Sequence, residues 1–221
     1  SVEQPVDDGR NFEVYLTPEK PITVDDLKAL MRNHYDMSEH DPYQFGLRGD
    51  EPWRPISVFR TYESHIMQVR PWLPQAIGCL IHLAFGMADL SVYLPFYQGL
   101  EAVPQHYGCG TDHCDRRSVY WKFRRLQTLV MTDYAGLAPM VKTAFAKFEA
   151  DLAPRMAAFE AEFVNLHAED EKAAAKLLND FNLRVLAEGE ELCETLLDDC
   201  FTKRTTDIQE AVYFRNRKAK D

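Results

Sequence analysis

Apolar and polar residues first follow a regular period in the stretch that begins at Thr23. Asp26 stands three positions after Thr23, which is the spacing of a capping box at a helix N-terminus. The positions that fall on one face of the following helix are Leu27, Leu30, Met31 and His34. We therefore predict a helix after Thr23, with His34 at the end of its apolar face.

Short apolar runs broken by prolines replace this pattern between residues 56 and 97, and they predict an antiparallel meander. Pro71 and Pro74 mark a loop after the first run, because proline cannot donate to a strand ladder. Pro95 places the last run at a sheet edge or at a bulge. The expected strands are 56–69, 77–85 and 91–97, with another short strand over 11–16 and a loop over 35–55.

The helical period returns from Ser118 and continues almost to the C-terminus. Large apolar residues step by three and four positions along two stretches, which predicts a long helical hairpin with its turn within 166–171. Pro154 predicts a kink or a restart in the first helix. The stripe residues are Val141, Phe145, Phe148, Leu152, Met156, Phe159 and Phe163, then Leu178, Phe181, Val185, Leu192 and Leu196.

These elements predict an α+β fold with antiparallel strands and a long C-terminal helical hairpin. We divide the chain into residues 1–135, which carry the sheet, and residues 136–221, which carry the hairpin and a basic tail. The first residues lack the basic and apolar segments of a signal peptide and lack a Met. We therefore expect a processed or trimmed piece of a longer chain.

Charge and cysteine usage narrow the class of protein. The net charge is −10 and the pI is about 5.2, which argues against nucleic acid as a partner, because a phosphate backbone needs a cationic face. No run of about 18 apolar residues exists, so we expect no membrane partner. The five cysteines are odd in number and scattered, which suits reduced thiols and predicts a cytoplasmic location.

One loop carries four residues of the types that bind zinc: His106, Cys109, His113 and Cys114. The two cysteines have four residues between them, at the edge of the usual spacing, and all four candidates lie within nine positions. A structural zinc ion normally ties two separate elements together. We therefore expect neither a metal nor a cofactor.

Several short motifs appear in a fixed order and resemble one family. They are the HY pair at 34–35, RT-x-ESH at 60–65, Q-x-RP-x-LP at 68–74, VY-x-PFY at 92–97 and YW-x-FR at 120–124. The chain resembles the dipeptidases among the N-terminal nucleophile hydrolases, a family that also contains the secernins, over roughly residues 11–200. His82 departs from the resemblance, because the family usually has a Trp there.

The resemblance implies a layered αββα fold and hydrolysis of dipeptides by an N-terminal Cys. The α-amino group of that Cys serves as general base. This chain begins with Ser1, and none of its cysteines can supply both a thiol and an α-amine. The motifs match the second half of the family's pattern. We therefore expect the C-terminal half of the enzyme, with the nucleophile in an N-terminal half that is a separate chain, and an oligomer.

Three residues of this half are candidates for substrate binding. A bidentate Arg is the natural partner of a dipeptide's carboxylate, and Arg60 is the first choice, with an ion pair to Glu63 as the alternative. His65 binds substrate or is a core histidine bonded to the backbone. An ideal strand puts Arg60 and His65 on opposite faces, so both line one site only if a bulge intervenes. The resemblance hints that His34 borders the cleft.

Two other functions remain open at this point. The chain could be a non-catalytic, secernin-like binding protein, or an interaction module whose partner docks on the helices of residues 138–200. The dipeptidase hypothesis carries its own structural expectation. A lone half should leave one sheet face uncovered, which exposes several hundred Å² of apolar surface, on the order of 10 kcal/mol at about 25 cal/mol per Å².

Overall fold

The computed structural model describes residue 15 and residues 17–43 and 54–218, and it confirms the α+β class. The strand expected over 11–16 lies outside the described residues except for Tyr15. Residues 44–53, which belong to the loop expected over 35–55, also lie outside them. The strands are β1 (Glu63–Val69), β2 (Cys79–Phe85) and β3 (Leu94–Tyr97). The helices are α1 (Val24–Arg32), α2 (Gln75–Gly78), α3 (Val119–Val130), α4 (Tyr134–Glu169) and α5 (Glu171–Lys218).

Helix α1 begins with the predicted capping box. The Asp26 amide donates to Thr23 Oγ1 at 3.1 Å, and the Thr23 amide donates to Asp26 Oδ2 at 2.9 Å. Leu27 and Met31 pack against the sheet, whereas Leu30 is 52% exposed and does not share their environment. The helix ends at Arg32, so His34 lies beyond it.

The three strands form one antiparallel sheet in the order β1-β2-β3. The predicted first strand is too long, because β1 begins only at Glu63. The segment before it turns instead: the Thr61 amide donates to the Val58 carbonyl at 3.0 Å. The guanidinium of buried Arg124 donates hydrogen bonds to the carbonyls of Phe59 and Thr61. These carbonyls are therefore not paired with a neighbouring strand.

The third strand is an edge strand, as Pro95 predicted. The side-chain amide of Asn182, on α5, takes the place of a further strand. Asn182 Nδ2 donates to the Pro95 carbonyl at 2.7 Å, and Asn182 Oδ1 accepts from the Tyr97 amide at 3.0 Å. Asn182 is fully buried, so this edge of the sheet is closed by a helix.

Helices α4 and α5 form the predicted hairpin, with Asp170 between them. Of the two alternatives predicted at Pro154, a kink or a restart, the restart does not occur, because α4 is a single helix over its 36 residues. Pro154 lies on the exposed side, and buried Leu152 and Phe159 hold the helix to the core on both sides of it. Most stripe residues are buried within this chain, so the apolar face of 138–200 is already occupied.

The two faces of the sheet differ in how they are covered. Ile66, Ala84 and Tyr93 are buried beneath α1. On the opposite side Phe85 and Leu94 are buried against α3 and α5, but Met67 and Val69 are each 68% exposed and Ile81 is 40% exposed. We call the exposed part of this second side, at Met67, Val69 and Ile81 and along β1, the open face. Among the described residues, no helix is both long and apolar enough to cross a membrane.

Candidate functional site

The open face carries an ion pair at the end of β1. Glu63 and His65 are two residues apart and therefore project to the same side of the strand. His65 Nδ1 lies 2.9 Å from Glu63 Oε2, and about half of each side chain is exposed. A cleft of about 310 Å³ lies beside them and is also lined by Ser57, Thr61 and Ala88. His65 is therefore accessible to a ligand.

Arg60 lies in the turn before β1 and is exposed. Because it is not in a strand, the expectation that it faces away from His65 does not apply to it. Arg124 fixes the backbone on both sides of Arg60 through the Phe59 and Thr61 carbonyls. The Arg124 guanidinium also lies 4.6 Å from the ring centroid of Phe59. The turn is therefore rigidly held while the Arg60 side chain reaches solvent.

His34 occupies a different position, inside a buried polar cluster. It is 2% exposed, and both of its ring nitrogens have partners. Nδ1 lies 2.9 Å from Asp41 Oδ1, while Nε2 lies 3.0 Å from Asp36 Oδ1 and 3.0 Å from the Tyr134 hydroxyl. The Tyr134 hydroxyl in turn donates to Asp89. The structure does not bring His34 into contact with Arg60 or His65.

The carboxylates around His34 decide its charge. Burial alone would lower the pKa of His34, but hydrogen bonding to Asp89 and the charges of Asp89, Asp36 and Asp41 raise the pKa above its usual 6.5. Burial likewise opposes ionisation of Asp89, yet His34 and Lys142 hold the pKa of that carboxyl below its usual value. The cluster therefore favours an imidazolium between ionised carboxylates.

The same cluster includes a set of donors suited to a divalent cation. One ligand atom each from His34, Asp36 and Asp89 lies within 4.8 Å of the others. However, Lys142 Nζ lies 2.6 Å from Asp89 Oδ1 and 3.6 Å from Asp36 Oδ1. The ammonium group already supplies the positive charge at this point, so we read the cluster as an ion-pair network.

The backbone beside His34 is held in an uncommon conformation. Tyr35 has a φ of 64° and Met37 has a φ of 59°. Both values lie in the left-handed region, which residues other than Gly rarely adopt. Each costs about 1 kcal/mol. The Ser57 hydroxyl accepts from the Asp89 amide at 3.0 Å, and Ser57 also lines the cleft beside His65, so it connects the buried polar cluster to that cleft.

The zinc candidates of the loop around residue 109 do not converge. His106 Nε2 lies 2.8 Å from Glu190 Oε1, the Cys109 thiol donates to the His106 carbonyl, and the His113 side chain is 92% exposed. All five cysteines are free. Among the described residues, these four do not form a group able to hold a metal ion.

Sequence reasoning missed several buried polar residues that shape the region. Arg124 was visible only as part of the YW-x-FR motif, and Asp89 only as a residue between the predicted strands 77–85 and 91–97. Gln127 is fully buried and donates to the Phe85 carbonyl at 2.9 Å, while its Oε1 accepts from the Met87 amide at 3.1 Å. Gly86 between these residues has a φ of 72°, and a Cβ there would lie 2.2 Å from Gln127 Oε1.

Comparison with known proteins places these residues in a family context. A family model described as "Peptidase family C69" matches residues 3–147. A "Probable dipeptidase" of Salmonella dublin is 55% identical over 107 residues, which cover 48% of this chain and 24% of that protein. A "Probable dipeptidase B" of Lactococcus lactis is 31% identical over 121 residues, covering 53% of this chain and 26% of that protein.

A further relative is a "Dipeptidase" of Bifidobacterium longum, which is 29% identical over 116 residues, covering 51% of this chain and 21% of that protein. The chain thus spans about a quarter of the length of the curated relatives it matches. The matched part contains α1, the whole sheet, α3 and the start of α4.

Proposed function

The chain belongs to peptidase family C69, and on that premise we propose that it is the C-terminal part of a dipeptidase. The observation that carries the proposal is the family match over residues 3–147, together with relatives named as dipeptidases. The reaction is hydrolysis of the peptide bond of a dipeptide. The remaining part of the enzyme provides the chemistry that this chain lacks.

The nucleophile of the proposed reaction is the N-terminal Cys of that remaining part. Its thiolate attacks the peptide carbonyl, the C–N bond breaks, the leaving amine takes a proton, and water then hydrolyses the thioester. The buried cysteines of this chain suit no such role. Burial raises the pKa of the Cys193 thiol far above its usual range and raises that of Cys200 to about 11, so both stay protonated.

The open face of the sheet is where this chain meets the remaining part. In this proposal a second sheet and its helices cover Met67, Val69 and Ile81 and complete the αββα layers, while residues 136–221 form a helical extension. The two parts are separate chains of one oligomer. The free cysteines support a reducing compartment such as the cytoplasm.

The substrate contacts of this chain are Arg60 and His65. Arg60 binds the terminal carboxylate of the dipeptide, because it is an exposed guanidinium on a turn that Arg124 fixes. His65 contacts the substrate from the open face, oriented by Glu63. His34 remains a predicted member of the site, and its bonded, buried ring favours positioning of residues 35–43 over direct contact.

The proposal is tested on the enzyme assembled with the remaining part. Intact-mass analysis and N-terminal sequencing should find a second chain that begins with Cys and reacts with iodoacetamide. Hydrolysis of dipeptides should stop when this Cys is alkylated. A fully active preparation in which no chain begins with Cys would contradict the thiol mechanism, and an assembled enzyme that hydrolyses no dipeptide would contradict the function.

The role of Arg60 has a sharper test. Arg60→Lys keeps the charge but loses the bidentate geometry, so the KM for dipeptides should rise about tenfold while kcat changes little. Arg116→Lys, at another exposed arginine, is the matched control and should leave both constants unchanged. Equal kinetics for the Arg60 and Arg116 variants would remove Arg60 from the substrate site.

A further inference from the structure

The C-terminal turns of α5 extend beyond the helices that pack against it. Arg204 Nη1 lies 3.6 Å from Asp133 Oδ2, at the residue that caps the N-terminus of α4. The buried residues of α5 end at Cys200, and every residue from Phe201 to Tyr213 is exposed or half-buried. Residues 205–218 therefore project about 20 Å past the start of α4. A helix of this length is marginal in water without a packing partner, so this segment needs one.

The projecting segment carries apolar side chains on one side. Phe201, Ile208 and Val212 are 64%, 50% and 54% exposed. Together with Thr205 they are spaced by four, three and four residues, which places all four within about 60° around the helix axis. This is the spacing of the a and d positions of a coiled coil. We call these four residues the α5 stripe, and its geometry suits contact with another helix.

The α5 stripe is complementary to itself. Its spacing of four, three and four residues is the same in both chain directions, so a second copy of the stripe can lie against it in antiparallel orientation. Such a pairing brings Phe201 opposite Val212 of the second copy and Thr205 opposite Ile208 of the second copy. Each large apolar residue of the stripe then contacts a stripe residue, and the pairing needs no other segment.

The charges along α5 favour the antiparallel direction. Residues 188–199 include six acidic residues and no basic one, whereas residues 215–220 include four basic residues and no acidic one. Asp198 stands three positions before the α5 stripe, and Arg215 stands three positions after it. Antiparallel copies bring positions 198 and 215 together at both ends, so opposite charges meet, whereas parallel copies would bring like charges together.

We propose that α5 pairs with α5 of a second copy of this chain, in antiparallel orientation, through the α5 stripe. The contact runs from position 198 to position 215, which is about 27 Å of helix. With three large apolar side chains from each copy it belongs to the small, weak class of interface, with a Kd on the order of 10 µM. The pairing uses no residue of the open face and does not depend on the proposed hydrolysis.

The first test is sedimentation velocity of the full chain between about 1 and 300 µM, where it should pass reversibly from monomer to dimer. Ile208→Asp places two charges in the paired stripe and should weaken the dimer at least tenfold. Tyr213→Asp is the matched control and should leave the dimer unchanged, because Tyr213 is 72% exposed but lies about 110° from the stripe. Circular dichroism confirms that both variants fold. A chain that stays monomeric, or equal weakening by the two variants, would overturn the proposal.

Two further measurements separate this contact from other associations. Ile81→Asp, on the open face, should leave the dimer of the full chain unchanged, and its loss would place the contact on the open face instead. In the enzyme assembled with the remaining part, Ile208→Asp should divide the larger oligomer without releasing that part. Release of the remaining part would show that this part, and not a second copy, covers the α5 stripe.

A charge exchange tests the direction of the pairing. Asp198→Arg should weaken the dimer about tenfold, because like charges then meet at both ends of the contact. Adding Arg215→Asp to this variant should restore the original affinity, because the two charges are then only exchanged. A dimer that Asp198→Arg leaves unaltered would exclude the antiparallel orientation.

Discussion

At the scale of single residues, two buried histidines should respond to pH in opposite directions. His34 lies among three carboxylates, so its charged form is favoured, whereas burial, and then the charges of Lys28 and Arg70, favour the neutral form of His82. Each difference from the unfolded chain makes folding stability depend on pH. The two effects occur in separate pH windows and can be measured separately.

His82 should destabilise the fold under acidic conditions. Its pKa is about 4 in the folded chain against 6.5 in the unfolded chain, so the unfolded state binds the proton first as the pH falls. Stability should decrease between pH 6.5 and pH 4 by about 3 kcal/mol from this residue. In urea unfolding, the stability of the His82→Gln variant should not show this part of the decrease between pH 6.5 and pH 4. The control variant His113→Gln, at a side chain that is 92% exposed, should show the full decrease.

His34 should stabilise the fold most below pH 6.5. A raised pKa means that its contribution is fully present below pH 6.5 and is lost as the pH rises through the folded value. His34→Gln leaves Asp41 without its cation and leaves Asp89 with Lys142 alone, which should lower the free energy of unfolding by about 3 kcal/mol at pH 6. In denaturant titrations the difference from the unaltered chain should shrink toward pH 9. A difference that is constant with pH would contradict the charged state.

The sequence indicates some of these residues but not their partners. His34 stands out as the last position of a helical face, yet Asp89 and Tyr134 come from distant segments. Spacing along the chain cannot show which carboxylates surround a histidine, because that depends on how α1, the sheet and α4 meet. Arg60 and His65 could be singled out as charged residues in an apolar region, but their separation by a turn depends on Arg124.

At the scale of elements, local periodicity predicts the helices better than the strands. The capping box of α1, the hairpin of α4 and α5, and Pro95 at an edge all follow from patterns within a few residues. The first strand is shorter than predicted because a side chain from α3 competes for its carbonyls. Helix α4 continues through Pro154 because packing on both sides outweighs one lost hydrogen bond.

The closed edge of the sheet can be tested through Asn182. Asn182→Ala leaves the Tyr97 amide and the Pro95 carbonyl buried without partners, so the free energy of unfolding should fall by about 2 to 4 kcal/mol. Asn179→Ala, one turn earlier on α5, loses a hydrogen bond from the exposed amide of Glu101. This change should lower the free energy of unfolding by about 1 kcal/mol at most. Equal losses in denaturant unfolding would show that Asn182 does not close the edge.

At the scale of the whole molecule, the open face is an apolar surface that remains exposed among the described residues. Met67, Val69 and Ile81 lie together on paired strands and are exposed, while the opposite face of the same strands is buried. The expectation of an uncovered face is met only in part, because Phe85 and Leu94 on the same side are buried against α3 and α5. Exposed apolar surface of this kind marks an interface, which supports the proposed docking of the remaining part of the enzyme.

Charged substitutions can test this interface. Ile81→Asp should weaken association with the remaining part at least tenfold and reduce dipeptide hydrolysis in proportion, because it buries a charge in the interface. Val164→Asp, at a residue of similar exposure on α4, should leave both unchanged. Analytical ultracentrifugation measures the association, and circular dichroism confirms that each variant is folded. Unaltered association of Ile81→Asp would exclude the open face as the docking surface.

The amide of Asn182 also has a consequence for how the sheet can grow. Because a helix seals β3, and β1 pairs only with β2 among the described residues, any added strand must join along β1. Extension of the sheet is thus one-directional. The unpaired backbone N–H and C=O groups of β1 would be the site at which newly synthesised copies aggregate before an added strand covers this edge.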